Sequence, residues 1–280
     1  MQALNYCKIK TDSIVFCYGI TKFPDNDGNY AMVLVYVEGG NLRDYLQNNH
    51  SKLTLKNRIA ILRNLCESLY RIHEKDLIHC DLHSGNMLIQ AGDCYITDFG
   101  LCGPVDDESS GKIYGIIPYI APEILQGGKN TKQSDVYSIG MLMWEIFAGH
   151  PPFDDKAHDA DLIFQILEGL RPQILPSISG DYAQMMQKCW DADPSKRPTI
   201  GELWNFADDK LKEIYEGKID SNNNINVSND DSSSGDSPPQ TYKKHPSAYH
   251  TSRILDDEIA KSKSLKSIDS LLGGLDINNF

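Results

Sequence analysis

The chain has 280 residues, 40% of them hydrophobic, and its 39 acidic against 27 basic side chains give a net charge of −12. That length can bury a full-sized core in one or two domains and excludes a short disulfide-stapled peptide, while an acidic body without a basic footprint is not expected to bind nucleic acid. Seven cysteines, an odd number with no Cys-x-x-Cys pair, point to reduced thiols in a cytosolic or nuclear setting rather than to a disulfide or zinc framework.

Taken in order, the opening MQALNYCKIK has no apolar run followed by a small-residue cleavage site, so a signal peptide is not expected. Ser13–Ile20 and Tyr30–Val37 are β-rich runs on either side of a Pro24–Asn29 turn cluster, which predicts a hairpin. Beyond Gly39-Gly40 helical patterns dominate, with a short helix over Asn41–Gln47. A longer one over Leu55–His73 carries apolar residues every three to four positions. Short strands follow at Met87–Ile89 and Tyr95–Ile96. Helices are predicted at Ser134–Ala148, Ala160–Glu168, Tyr182–Trp190 and Ile200–Tyr215. The most apolar stretch, Ile139–Ala148, contains Glu145 and is too short to cross a bilayer, so no membrane partner is expected. From Lys218 the chain turns rich in Ser and Asn, which predicts a disordered polar tail over 218–280. Within it, Ser252–Leu275 spaces its apolar residues in a partly helical way, so a docking helix is the alternative to an unpacked tail.

One stretch carries chemistry. Asp81 and Asn86 lie five positions apart in the polar loop Ile78-His79-Cys80-Asp81-Leu82-His83-Ser84-Gly85-Asn86, and Asp98-Phe99-Gly100 follows twelve residues later. Two carboxylates and an amide oxygen suit a hard Mg²⁺ ion, and a carboxylate can also take a proton from a hydroxyl nucleophile.

These residues resemble the eukaryotic protein kinases, with a lean toward the tyrosine-kinase-like branch. His79-Cys80-Asp81 with Asn86 is similar to the catalytic loop, Asp98-Phe99-Gly100 to D-F-G, and Ala121-Pro122-Glu123 to A-P-E. Gly39-Gly40-Asn41-Leu42 resembles the hinge and the helix after it. Asp135-Val136-Tyr137-Ser138 resembles the start of the central helix, and Cys189-Trp190 with Arg197-Pro198 the late helices. Each triplet alone is weak; six in the right order over residues 10–210 are strong. The resemblance implies an α+β fold: a partial, β-rich small lobe over 1–37, a mostly helical large lobe over 38–217, and the tail. It implies transfer of the ATP γ-phosphate to a protein Ser, Thr or Tyr hydroxyl, with ATP and Mg²⁺ as cofactors, a protein as substrate and a place in signalling. Carried over by position, Asp81 is expected to orient the hydroxyl and accept its proton, and Asn86 and Asp98 to hold Mg²⁺. Leu34 falls at the gatekeeper, with Val35, Val37 and Leu88 around adenine. His79 and Asp135 are expected to brace the loop, and Glu123 to pair with Arg197.

The departures matter as much. Cys80 stands in place of the loop arginine and His83 in place of a lysine, and Ile116 replaces a common threonine, so Ser/Thr against Tyr preference is poorly marked. No G-x-G-x-x-G occurs and no V-A-I-K-like lysine precedes the hinge. The first glutamate of the chain, Glu38, already belongs to the hinge. With 33 residues before Leu34, the chain is expected to begin inside the small lobe. Poor phosphate transfer is expected, as is self-association through the open edge of the hairpin. The competing reading is a pseudokinase-like interaction module.

Overall fold

The computed structural model describes residues 14–22, 30–104, 112–178, 180–220 and 243–273, with 267–273 described through their backbone alone. The two β-rich runs form the antiparallel pair β1 (Cys17–Lys22) and β2 (Tyr30–Leu34), with Ile20 opposite Met32 and a bulge between Cys17 and Gly19. The Pro24–Asn29 turn cluster lies outside the described residues. Phe16, Tyr18, Ile20 and Tyr30 are exposed on this hairpin, since among the described residues no layer covers that face.

The hairpin is tied to the large lobe at two points. The Val15 amide donates to the Ile96 carbonyl (3.2 Å), and past the hinge the Ile89 amide donates to the Gly40 carbonyl (2.9 Å). A Cβ at position 39 would stand 1.9 Å from the Ile89 carbonyl oxygen. Only glycine lets the hinge approach that closely.

The large lobe is built from helices whose starts are written in their caps. Asn41 accepts the Asp44 amide to open α1 (Leu42–Asn49). Reciprocal capping boxes open α2 (Leu55–His73) through Thr54 and Asn57, α4 (Lys132–Ala148) through Thr131 and Ser134, and α7 (Ile200–Tyr215) through Thr199 and Glu202; the short α3 (Pro122–Leu125) precedes α4. The α2 stripe Ile59, Leu62, Leu65, Leu69 and Ile72 is buried, and α2 packs on α7. α4 is buried on all sides, which is why its sequence shows no polar face. α6 (Gly180–Cys189) crosses α4 at Gly140, where a Cβ would come within 2.8 Å of the Cys189 Cβ. Between these helices run two small ribbons, β3 (Leu77–Ile78) with β6 (Gly103–Pro104) and β4 (Met87–Gln90) with β5 (Asp93–Ile96). Among the described residues no helix is long and apolar enough to cross a membrane.

The tail requires a correction. Residues 221–242 and 274–280 lie outside the described residues, but 243–273 fold onto the large lobe instead of standing away from it as an unpacked polar segment. Arg253–Ile254 form a strand, β8, antiparallel to β7 (Tyr114–Gly115), and Asp256–Gly273 form α8, which packs on α5 (Ala160–Leu167). Leu255 and Ile259 are buried at 0% and 5% exposure, so a few apolar residues at helical spacing outweigh the polar average of the segment.

His158 helps fasten this segment. Its Nδ1 accepts the Tyr249 amide (3.1 Å), its Nε2 faces the Phe153 carbonyl (3.2 Å), and its own amide donates to the Ser247 carbonyl (3.0 Å). Burial pushes the His158 imidazole down to about 4, against the raising effect of the Phe153 and Tyr249 backbone groups. Burial, then the Arg58 charge, brings His50 down to about 4 as well. Between the ordinary value near 6.5 and these lowered values the unfolded chain binds more protons than the folded one, so stability falls as pH falls through that window. The thermal midpoint is expected to drop from pH 6.5 to 5, before most carboxylates titrate, and to drop less in His158→Asn. Identical pH slopes for the two proteins would contradict this assignment.

Candidate active site

The loop from His79 to Asn86 is held from below by one carboxylate. Asp135, buried in the first turn of α4, accepts the His79 amide at Oδ2 (2.9 Å) and the Cys80 amide at Oδ1 (3.1 Å); His73 Nε2 lies 2.9 Å from Oδ2. These bonds hold Cys80 in the left-handed region, at φ 69°. Asp98 is the second residue of the site in that region, at φ 58°, with Gly100 donating to its Oδ1 (3.1 Å). Sparsely populated backbone of this kind persists where the surroundings over-determine it.

His79 links the two segments. Its Nδ1 accepts the Asp81 amide (3.3 Å), which leaves Nε2 as the N–H donor to the Thr97 carbonyl (3.0 Å), and its ring packs against the buried Phe99 (5.2 Å between centroids). The Thr97 amide donates to the Asn86 carbonyl (3.0 Å). Asn86 Nδ2 donates to the Asp81 carbonyl (3.0 Å) and reaches Asp81 Oδ2 (3.3 Å). Asp81, Asn86 and Asp98 are thereby placed on two loops bound to each other.

Burial opposes charge on Asp81, but the His83 imidazole (Nε2 3.7 Å from Oδ2), the hydrogen bond from Ser252 and the nearby His79 ring outweigh it and hold the carboxyl below its usual range. The site therefore presents a carboxylate at neutral pH. Asn86 commits its N–H to Asp81, which leaves its amide oxygen as the acceptor. With the Asp98 carboxylate, that oxygen is the donor chemistry of a hard divalent cation, and the residues fit Mg²⁺.

Glu123 and Arg197, 74 positions apart, form a two-pronged ion pair (Nη1–Oε1 2.7 Å, Nη2–Oε2 2.8 Å). Leu34 ends β2 and is half-buried, as is Val35, while Val37 is buried; Leu88 lies on β4, bridged to Asn41 just past the hinge. Sequence reasoning did not single out Ser252, whose hydroxyl lies 2.7 Å from both Asp81 carboxylate oxygens. A serine in a Ser-rich stretch carries no signal of its own. The ridge Tyr114–Gly115 that receives β8 was equally unmarked.

Comparison with known proteins agrees with this arrangement. A family model described as protein tyrosine and serine/threonine kinase matches residues 1–206. The chain is 32% identical over 178 residues to a protein of Acanthamoeba polyphaga mimivirus named as a serine/threonine-protein kinase/receptor, covering 62% of this chain and 11% of that one. It is 29% identical over 219 residues to the dual specificity protein kinase zakA of Dictyostelium discoideum, covering 72% and 28% respectively. To the roco8 serine/threonine-protein kinase of the same organism it is 30% identical over 206 residues, covering 69% and 11%. The chain thus spans between about a tenth and just over a quarter of the length of these relatives.

Proposed function

This chain belongs to the protein tyrosine and serine/threonine kinase family, and from that premise we propose that it transfers the γ-phosphate of ATP to a hydroxyl of a protein substrate in the cytoplasm. The observation that carries this reading is the placement of Asp81, Asn86 and Asp98 on two loops hydrogen-bonded to each other. Asp81 orients the acceptor hydroxyl and receives its proton at a carboxylate that is already ionised. Asn86 and Asp98 hold Mg²⁺ through oxygen. When bound, Mg²⁺ neutralises charge on the phosphates. Leu34, Val35, Val37 and Leu88 form the adenine side, and Asp135 positions the loop through the His79 and Cys80 amides. The exposed Phe16, Tyr18, Ile20 and Tyr30 support self-association through the hairpin.

A second reading, an interaction module with impaired transfer, is favoured by the sequence ahead of Leu34, which holds neither G-x-G-x-x-G nor a V-A-I-K-like lysine. A γ-phosphate transfer assay on the purified chain with Mg²⁺ and an added serine-containing peptide, run beside Asp98→Ala, separates the two. Slow transfer that vanishes in Asp98→Ala supports the kinase reading. No transfer by either protein favours the module.

A further inference from the structure

The chain's own residues 247–256 run past Asp81 and place Ser252 against it. Ser252 Oγ donates to the Asp81 carboxylate, lying 2.7 Å from each oxygen, and His83 Nε2 lies 3.1 Å from the same Oγ. The Gly85 amide donates to His83 Nδ1 (3.1 Å), so Nε2 carries the N–H and the Ser252 oxygen accepts it. The hydroxyl proton is thus turned to the carboxylate, with an oxygen lone pair left over.

The backbone on both sides fixes this placement. Gly115 pairs with Arg253 and Tyr114 with Ile254, the Leu255 amide donates to the Ile113 carbonyl (3.0 Å), and the Ile113 amide donates to Asp256 Oδ1 (3.1 Å). Ahead of Ser252, Arg43 Nη1 donates to the His250 carbonyl (2.9 Å) and His158 accepts the Tyr249 amide. Added strands of this type gain affinity through main-chain bonds and selectivity through the side chains between them. Ser252 remains exposed as a residue.

We propose that residues 247–256 are a substrate held in cis and that Ser252 is the hydroxyl this site phosphorylates, an assignment that rests on the kinase reading above. Ser252 Oγ forms the new bond to the γ-phosphorus and gives its proton to Asp81. The bond from that phosphorus to the β-bridging oxygen breaks, and the nucleoside diphosphate leaves with the electron pair. A tethered, aligned acceptor needs no encounter step, so even a slow phosphotransferase reaches it. The same geometry sets the acceptor class. With the peptide backbone paired to Tyr114–Gly115, a serine or threonine hydroxyl meets Asp81. A tyrosine hydroxyl, carried several ångströms further from its Cα, overshoots.

The full-length chain is incubated with Mg²⁺, ATP and an added serine-containing peptide, and phosphate is mapped by mass spectrometry. Phosphate is expected on Ser252 at a rate per chain that is unchanged over about 30-fold dilution, as an intramolecular step requires. It should fall at least ~100-fold in Asp81→Asn and be absent from position 252 in Ser252→Ala. Transfer to the added peptide, Ser247 or Thr251 with none to Ser252 would overturn the acceptor assignment, as would a rate proportional to protein concentration. Amide exchange of Leu255 without nucleotide reads the placement independently of chemistry. Exchange at the unstructured rate would sink the proposal outright. A protected Leu255 amide with no phosphate on any acceptor would refute the kinase reading, and the acceptor role of Ser252 would fall with it.

Discussion

Arg197→Leu is expected to lower the thermal midpoint by about 10 °C. The Arg197 side chain is wholly buried and contacts four residues at once. It grips Glu123 with both terminal nitrogens, donates to the Asp191 and Gln133 carbonyls (2.9 and 3.0 Å), and lies over the Tyr137 ring at 5.2 Å. Leucine fills part of the volume but leaves Glu123, with 22% of its side chain exposed, facing an apolar neighbour. Breaking a buried pair from one side costs roughly 3–5 kcal/mol, because a charge is left without compensation. In a domain of this size each kcal/mol shifts the midpoint by about 2–4 °C. The double variant Arg197→Leu with Glu123→Leu should recover part of the loss, since no charge is then stranded. A single variant melting within about 2 °C of the parent would show that this pair contributes little.

That pair was expected only through the resemblance of Ala121-Pro122-Glu123 and Arg197-Pro198 to kinase motifs, and the structure brings the two side chains together. Asp135 was likewise expected through the resemblance to brace the loop, and its carboxylate accepts two backbone amides there. Helix starts were legible to within about two residues from apolar periodicity, and the capping boxes of Thr54, Thr131 and Thr199 fix them in the structure. The two-residue strands were not. Leu77–Ile78, Gly103–Pro104 and Tyr114–Gly115 exist only through partners 25 or more positions away, and two residues hold no periodicity to read. The docked tail fell between these cases. The apolar spacing of Leu255 and Ile259 was visible, but the Ser- and Asn-rich average around it pointed the other way, and the surface that receives it is assembled from α5 and β7. Ser252 owes its place to that docking and to nothing in its own neighbourhood of sequence.

Asp81→Asn is expected to reduce phosphate transfer by roughly 10²–10⁴-fold, to Ser252 and to an added peptide alike, while leaving the fold in place. The substitution keeps the size and planarity of the side chain, and the Asn86 amide still reaches the Asp81 backbone carbonyl that it now holds at 3.0 Å. What disappears is a proton acceptor. An amide oxygen can still take a hydrogen bond from the hydroxyl, so the acceptor peptide stays seated, but it cannot take the proton as the new bond to phosphorus forms. The pH dependence tests this further. Although burial favours the neutral acid, the neighbouring His83 imidazole and the hydrogen bond from Ser252 hold the Asp81 carboxyl below its usual range. A depressed carboxyl is ionised at every pH above its ordinary value near 4 and begins to lose its charge only on passing below it. The factor separating Asp81→Asn from the parent should therefore be the same at pH 6 and pH 8. A factor that shrinks toward pH 6 would mean that Asp81 is already taking up a proton there, and the acceptor of the hydroxyl proton would have to be sought in another group.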